Sequence, residues 1–279
     1  MKQYLYLIYF LSLNIFAIGH LSHIKPGVTL YSEYYPNTTT KFKGTIIFEN
    51  GSGTDISEWV INPKFINCVK RAGSLFLYDR NGLGKSPADF HLSAHNPITG
   101  KLISDKLTIL LRKTNIKPPY VFVAHSYGAI YAGYYVLKNP HLVKGVILVD
   151  PVPKNFHFST KLLNKYKPGV EQAKKFSSRY IYKKYKGSIT EVIYQLLGFN
   201  ESLQSIKQLG GIINNIPVVV ISSTGMENEH PLKEGWYESQ KQWLNNNSYS
   251  KIMRVSSDHF IQLKKPQVVC DEIVGILNQ

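Results

Sequence analysis

An α/β architecture, with a mostly parallel central sheet covered by helices on both faces, is the fold class this sequence predicts. Two observations point there. Short runs of β-forming residues alternate along the chain with longer runs of helical period, and most of the strand runs are apolar throughout instead of alternating apolar with polar. Strands apolar on both sides must be covered on both sides, which is the pattern of parallel sheets wrapped by crossover helices. Composition agrees: 279 residues, 43% hydrophobic and 18% charged, describe a globular chain able to bury a large core as one domain of the larger α/β type, or as one domain plus a modest insertion.

The elements follow in order. Met1-Lys2, the apolar stretch Tyr4 to Ile18 and the small-residue signal Ala17-Ile18-Gly19 read as a secretory signal peptide over residues 1–19, with an uncleaved anchor as the alternative. The apolar stretch is short for a membrane span. Val28 to Tyr35 alternates as a strand, Thr45 to Phe48 is a second, and Ile56 to Arg71 is a helix with Trp59, Val60, Phe65 and Val69 on its apolar side. Ser74 to Tyr78 and Pro118 to Ala124 are buried strands, with the amphipathic helix Lys101 to Arg112 between them. Tyr127 to Leu137 is a helix, Val143 to Val149, Ile216 to Ile221 and Ile252 to Val255 are strands, and Pro266 to Leu277 is a closing helix. The first core part is 20–150, an insertion occupies 151–215, and the second core part is 216–279.

Ala124-His125-Ser126-Tyr127-Gly128 joins a strand to a helix through one tight turn. A serine on such a turn has its hydroxyl pushed clear of the backbone, and helix-terminal N–H groups beside it can hold a developing oxyanion. The segment resembles the nucleophile elbow of the α/β-hydrolase family, G-x-S-x-G, with Ala124 at the first glycine. Tyr78-Asp79-Arg80-Asn81-Gly82-Leu83-Gly84-Lys85-Ser86 resembles the family's Y-D-R-x-G-x-G-x-S stretch and is the most specific match, read as shaping a loop beside the active site. Its end imitates a phosphate-binding loop, but Asp79 stands where that motif needs glycine, so nucleotide binding is disfavoured.

The resemblance covers roughly Val28 to Asn278 and implies a set of working parts. Ser126 is the nucleophile. His259, in Ser256-Ser257-Asp258-His259-Phe260 between the last strand and last helix, is the base. His125 fits less well, because at the elbow it points away from its neighbour's hydroxyl, and the other histidines lie at the mature N-terminus or in surface-like stretches. Asp150, after the strand ending at Val149, is the acid, with Glu227 or Glu229 as alternatives. Glu49-Asn50-Gly51-Ser52-Gly53 falls where the family has its oxyanion loop, so the Ser52 and Tyr127 N–H groups are the donors, and Asn50 replaces the usual histidine.

Function is narrowed accordingly. An exported serine hydrolase cleaving carboxylic esters is expected, acting on a small-molecule acyl substrate with no cofactor. An amidase or aminopeptidase using the same triad, or a non-catalytic binding member, are the alternatives. Epoxide-hydrolase and dehalogenase branches resemble the chain too, but they use an aspartate nucleophile. No metal site is visible, since the two cysteines are far apart and no paired-histidine helix motif occurs. The formal charge of +15 is spread as scattered lysines without a nucleic-acid motif. The insertion 151–215 falls where the family carries a helical cap, and in it eleven lysines and arginines stand against three glutamates, interleaved with Tyr166, Tyr180, Tyr182, Tyr185 and Tyr194. That composition suits substrates with an acidic group or weak contact with an anionic membrane surface, beside the plainer reading of a solvated helical lid. The resemblance sets Cys68 and Cys270 on helices sharing one face of the sheet, so a bridge is open to them, with buried free thiols the favoured reading.

Overall fold

The computed structural model describes residues 17–156, 180–211, 213, 215–229 and 235–279. One eight-stranded sheet carries the fold: β1 (Ile18–Lys25), β2 (Val28–Tyr35), β3 (Thr45–Glu49), β4 (Ser74–Tyr78), β5 (Tyr120–His125), β6 (Val143–Val149), β7 (Val218–Ser223) and β8 (Lys251–Val255). They lie in the order β1-β2-β4-β3-β5-β6-β7-β8. Pairings from β4 through β8 are parallel, and β1 and β2 add an antiparallel edge.

The period of two along each strand sorts its side chains into two cores. On β5, Tyr120, Phe122 and Ala124 join a cluster with Phe76, Val146, Leu148, Val218 and Val220, covered by helices α3 (Gly100–Lys113) and α4 (Gly128–Lys138). Val121 and Val123 join the opposite cluster with Phe48, Leu77, Ile147, Val149 and Ile221. Its cover is α1 (Ser57–Val60), α2 (Pro63–Ala72) and a C-terminal helix spanning Pro266–Leu277. Every side chain of β3, β4 and β5 is buried, which is why those segments are apolar on both faces.

Three expectations change. Ile56 to Arg71 is two helices, because Pro63 cannot continue α1: it starts α2 as the first helical residue, while the Asn62 side chain caps the new end by accepting from the Lys64 N–H at 3.0 Å. β1 lies inside the stretch read as the end of the signal peptide and the mature N-terminus. A cut after Gly19 would remove the strand's first two residues, which pair with Tyr34 and Glu33. Its polar, mostly exposed edge position explains why it carries no apolar pattern. Residues 1–16 of the signal segment fall outside the described residues.

Cys68 and Cys270, favoured as free thiols, form a disulfide, with Cα atoms 6.3 Å apart. The bridge ties α2 to the C-terminal helix across 202 residues of sequence. A Cys68→Ser/Cys270→Ser variant is expected to lose about 2–4 kcal/mol of stability, read as a lower unfolding midpoint in denaturant. An unchanged midpoint would show that the bridge constrains nothing the packing does not.

The cap is helical where described: α5 (Tyr180–Leu197) and α6 (Phe199–Gln208). α5 presses onto the loop after β4 so closely that a Cβ at Gly187 would meet the Gly82 carbonyl oxygen at 1.6 Å. α7 (Gly225–Glu229), α8 (Trp236–Gln240), α9 (Ile261–Lys264) and α10 (Pro266–Leu277) complete the second core part. Among the described residues, no helix is long and apolar enough to cross a membrane.

Candidate active site

Ser126 sits at the turn from β5 into α4 with φ +52°, a left-handed backbone rare for a residue with a side chain. Holding it there costs on the order of 1–3 kcal/mol, which surrounding contacts must offset. Its N–H donates to the Val149 carbonyl at 3.0 Å, and its own carbonyl accepts from Ala129 at 3.2 Å and Val152 at 3.1 Å. Gly128 is required: a Cβ there would lie 2.6 Å from the Asn50 carbonyl oxygen. Ala124, at the family's first glycine, is wholly buried in the core.

The Ser126 hydroxyl lies 2.8 Å from His259 Nε2, and His259 Nδ1 lies 2.7 Å from Asp150 Oδ2. Asp150, at φ +45° just past β6, has no solvent exposure. Besides His259 it accepts from the Ser223 N–H at 3.0 Å, the Ser223 hydroxyl at 2.6 Å, Trp236 Nε1 at 2.9 Å and Gln240 Nε2 at 3.1 Å. Burial alone would raise its pKa, but the His259 hydrogen bond and charge, with the Ser223 donors, hold it below the ordinary aspartate value. A carboxylate that only accepts fixes the imidazole with its proton on Nδ1, leaving Nε2 free to accept from Ser126. Of the alternative acids, Glu227 pairs with Arg254 instead, and the Glu229 side chain is outside the described residues.

The loop after β3 holds the Ser52 N–H, the first of the two donors named from the sequence. Gly51 N–H donates to Glu58 Oε2 at 2.9 Å and Gly53 N–H to Glu191 Oε2 at 2.8 Å. Between them the Ser52 N–H has no partner among the described residues, and neither does the Tyr127 N–H at the start of α4. Asn50 braces the loop: its amide donates to the Tyr78 carbonyl at 3.0 Å, and its oxygen accepts from Trp59 Nε1 at 2.8 Å.

The loop after β4 is structural, as its motif implied. Asp79 accepts from the Ile56 and Lys85 N–H groups, both at 2.8 Å, and the buried Lys106 ammonium reaches Asn81 and Asp89, both at 2.7 Å. Arg80 is 1% exposed and reaches Glu49 at 3.0 Å, Glu191 at 2.8 Å and the carbonyls of Asn50 and Gly51 at 2.9 and 2.5 Å. Burial pushes Glu49 up to about 7, against the pull of Arg80 and Tyr78. Arg80 and Glu191 thereby fasten α5 of the cap to the oxyanion loop, helped by the Ser52 hydroxyl donating to Gln195 at 2.9 Å. Arg80→Met should cost about 3–5 kcal/mol, because two buried carboxylates lose their cation. Thermal unfolding checks it, and a midpoint equal to wild type would mean that the cluster contributes nothing.

Trp236, Gln240, Glu58, Glu191 and Gln195 escape sequence reasoning, since each acts through a partner at least 86 positions away or through loop backbone. Six of the cap's eleven basic residues lie within 157–179, outside the described residues, as do His157, Tyr166 and, further on, His230, and the side chains of Tyr180, Tyr182, Lys183, Lys184, Tyr185 and Lys186 are outside them too. Among the described residues, no group of three or more histidine, cysteine, aspartate or glutamate side chains is arranged to hold a metal.

A family model described as alpha/beta hydrolase fold matches residues 44–176. The chain is 29% identical over 226 residues to an uncharacterised protein of Bacillus subtilis (strain 168), YqjL, covering 81% of this chain and 80% of that protein. Among solved structures, an epoxide hydrolase, CorEH, aligns with a TM-score of 0.67 at 14% identity, over 94% of this chain and 99% of its own. A loop variant of the haloalkane dehalogenase DbeA from Bradyrhizobium elkanii aligns at 0.66 and 14% identity, over 94% and 96%. At such identity these two likenesses speak to the fold alone.

Proposed function

The chain has the α/β-hydrolase fold, and from that premise we propose that it is an exported serine hydrolase cleaving carboxylic esters through Ser126, His259 and Asp150. One observation carries the reading: a strained serine whose hydroxyl is 2.8 Å from an imidazole that is itself held 2.7 Å from a fully buried carboxylate. Ser126 Oγ attacks the acyl carbon and its proton passes to His259 Nε2. Asp150 stabilises the imidazolium, and the Ser52 and Tyr127 N–H groups hold the oxyanion. Collapse of the tetrahedral intermediate transfers that proton to the leaving alcohol. Water, deprotonated by His259, then releases the acid and restores the serine. Every step uses groups of the chain itself.

Export rests on the apolar, lysine-started N-terminal segment, and the Cys68–Cys270 bridge supports it, since stable disulfides belong to oxidising compartments. The test is a fluorophosphonate probe followed by a substrate panel. We expect an adduct on Ser126 and turnover of short p-nitrophenyl esters in preference to aminoacyl anilides. No adduct would leave a binding protein, and exclusive anilide cleavage would make the chain an amidase.

A further inference from the structure

Glu58 and His125 stand outside the triad, yet they touch each part of the site that must be held in register. His125 immediately precedes Ser126, is 1% exposed, and donates from Nε2 to the His259 carbonyl oxygen at 3.0 Å. Its ring lies against the His259 ring at 4.6 Å between centroids and against Phe260 at 5.1 Å. Its other nitrogen, Nδ1, meets Glu58 in an ion pair sealed from solvent. Glu58, on α1, accepts from the Gly51 N–H at 2.9 Å, in the oxyanion loop, and from the Thr54 hydroxyl just past it. It also accepts from Gln262 Nε2 at 2.7 Å, three residues past the base.

We propose that Glu58 and His125 form a buried strut of positioning residues that sets the Ser52 N–H, the Ser126 hydroxyl and the His259 ring at their working separations. One carboxylate and one imidazole thus connect the oxyanion loop, the elbow and the histidine loop, which are far apart along the chain. Burial would discharge His125, but the charge and hydrogen bond of Glu58, with the His259 carbonyl, raise its pKa above the ordinary histidine value. Glu58 is correspondingly lowered, because His125 and the loop donors outweigh its own burial. A histidine protonated on both nitrogens can donate to the His259 carbonyl while its charge pairs with Glu58, so the strut is continuous. Neither residue contacts the reacting atoms, so their effect must appear as misplacement, where an error of about 1 Å costs on the order of 10²-fold.

The inference rests on the serine-hydrolase reading, and the test separates the two. The full-length protein, Glu58→Gln, Glu58→Ala and His125→Phe are compared for the rate of fluorophosphonate labelling at Ser126 per folded molecule, and for kcat and KM on the best ester. Glu58→Ala and His125→Phe are expected to slow labelling and kcat by about 10–100-fold with KM within about threefold. Glu58→Gln, whose amide oxygen still accepts from Gly51 and Thr54, should recover most of that loss. A purely structural role would instead lower the unfolding midpoint and leave the labelling rate of folded molecules unchanged, which would overturn the proposal. Should a single variant fail to fold around its unpaired charge, Glu58→Gln/His125→Phe buries no charge but still lacks the donor to the His259 carbonyl. It must show the same slow labelling, and a wild-type rate there would also overturn the strut. If wild type itself takes no label at Ser126, the hydrolase reading fails first, and that result is distinct from variants labelled as fast as wild type.

Discussion

Ser126→Ala is expected to lower turnover of an activated short-chain ester by about 10⁴-fold or more while leaving the protein folded. The substitution removes the attacking oxygen and one hydrogen bond, 2.8 Å long, to His259. A single net hydrogen bond contributes about 1 kcal/mol, so the thermal midpoint should move by only a few degrees. The elbow strain is untouched, because alanine at φ +52° is as unfavourable as serine. A residual rate above the uncatalysed reaction should survive, since the two free N–H donors and the binding surface remain. Steady-state kinetics with a midpoint measured on the same preparation checks both halves. Activity near wild type would mean that some other group attacks the substrate.

For Asp150→Asn the expected loss is about 10³–10⁴-fold in kcat, through the imidazole's tautomer. The carboxylate accepts from His259, Ser223 twice, Trp236 and Gln240, and an amide of the same shape has only one oxygen to offer them. Its NH₂ turned toward His259 would reward the tautomer carrying a proton on Nε2, which cannot accept from Ser126. Glu227→Gln is the control: Glu227 pairs with Arg254, so its loss should leave kcat within about threefold. Reversal of that order would move the acid to Glu227 and leave Asp150 as a buried organiser of Ser223 and Trp236.

The central strands were legible because both their faces are covered, so each is an uninterrupted apolar run. The elbow was legible because small residues must flank a serine forced into a left-handed turn. Asp150 was singled out only through the family resemblance, which sets an acid after that strand in some branches, while the two donors that Ser223 gives it appear only in the structure. Other features left no local mark. Strand β1 is mostly exposed, so no apolar alternation betrays it. The break at Pro63 was visible as a residue but was outweighed by the apolar spacing of Trp59, Phe65 and Val69. The Cys68–Cys270 bridge depends on a Cα separation of 6.3 Å between helices 202 residues apart, a distance that composition cannot express.

The sequence by itself determined the order of apolar strands and helices and a serine at a tight turn between two of them, because short-range backbone geometry and the burial of apolar strands leave a local mark. The aspartate after β6 and the histidine after β8 could be read there too, but their expected roles came from the family resemblance. Tertiary packing alone decided how these groups are held. It put His125 and Glu58 behind the base, Arg80 between two carboxylates under the cap, and Trp236 and Gln240 on Asp150. Buried charges and polar groups are stable only with partners, and those partners arrive from distant segments. Which segments meet is a property of the packed sheet and its helices, and no periodicity along the chain records it.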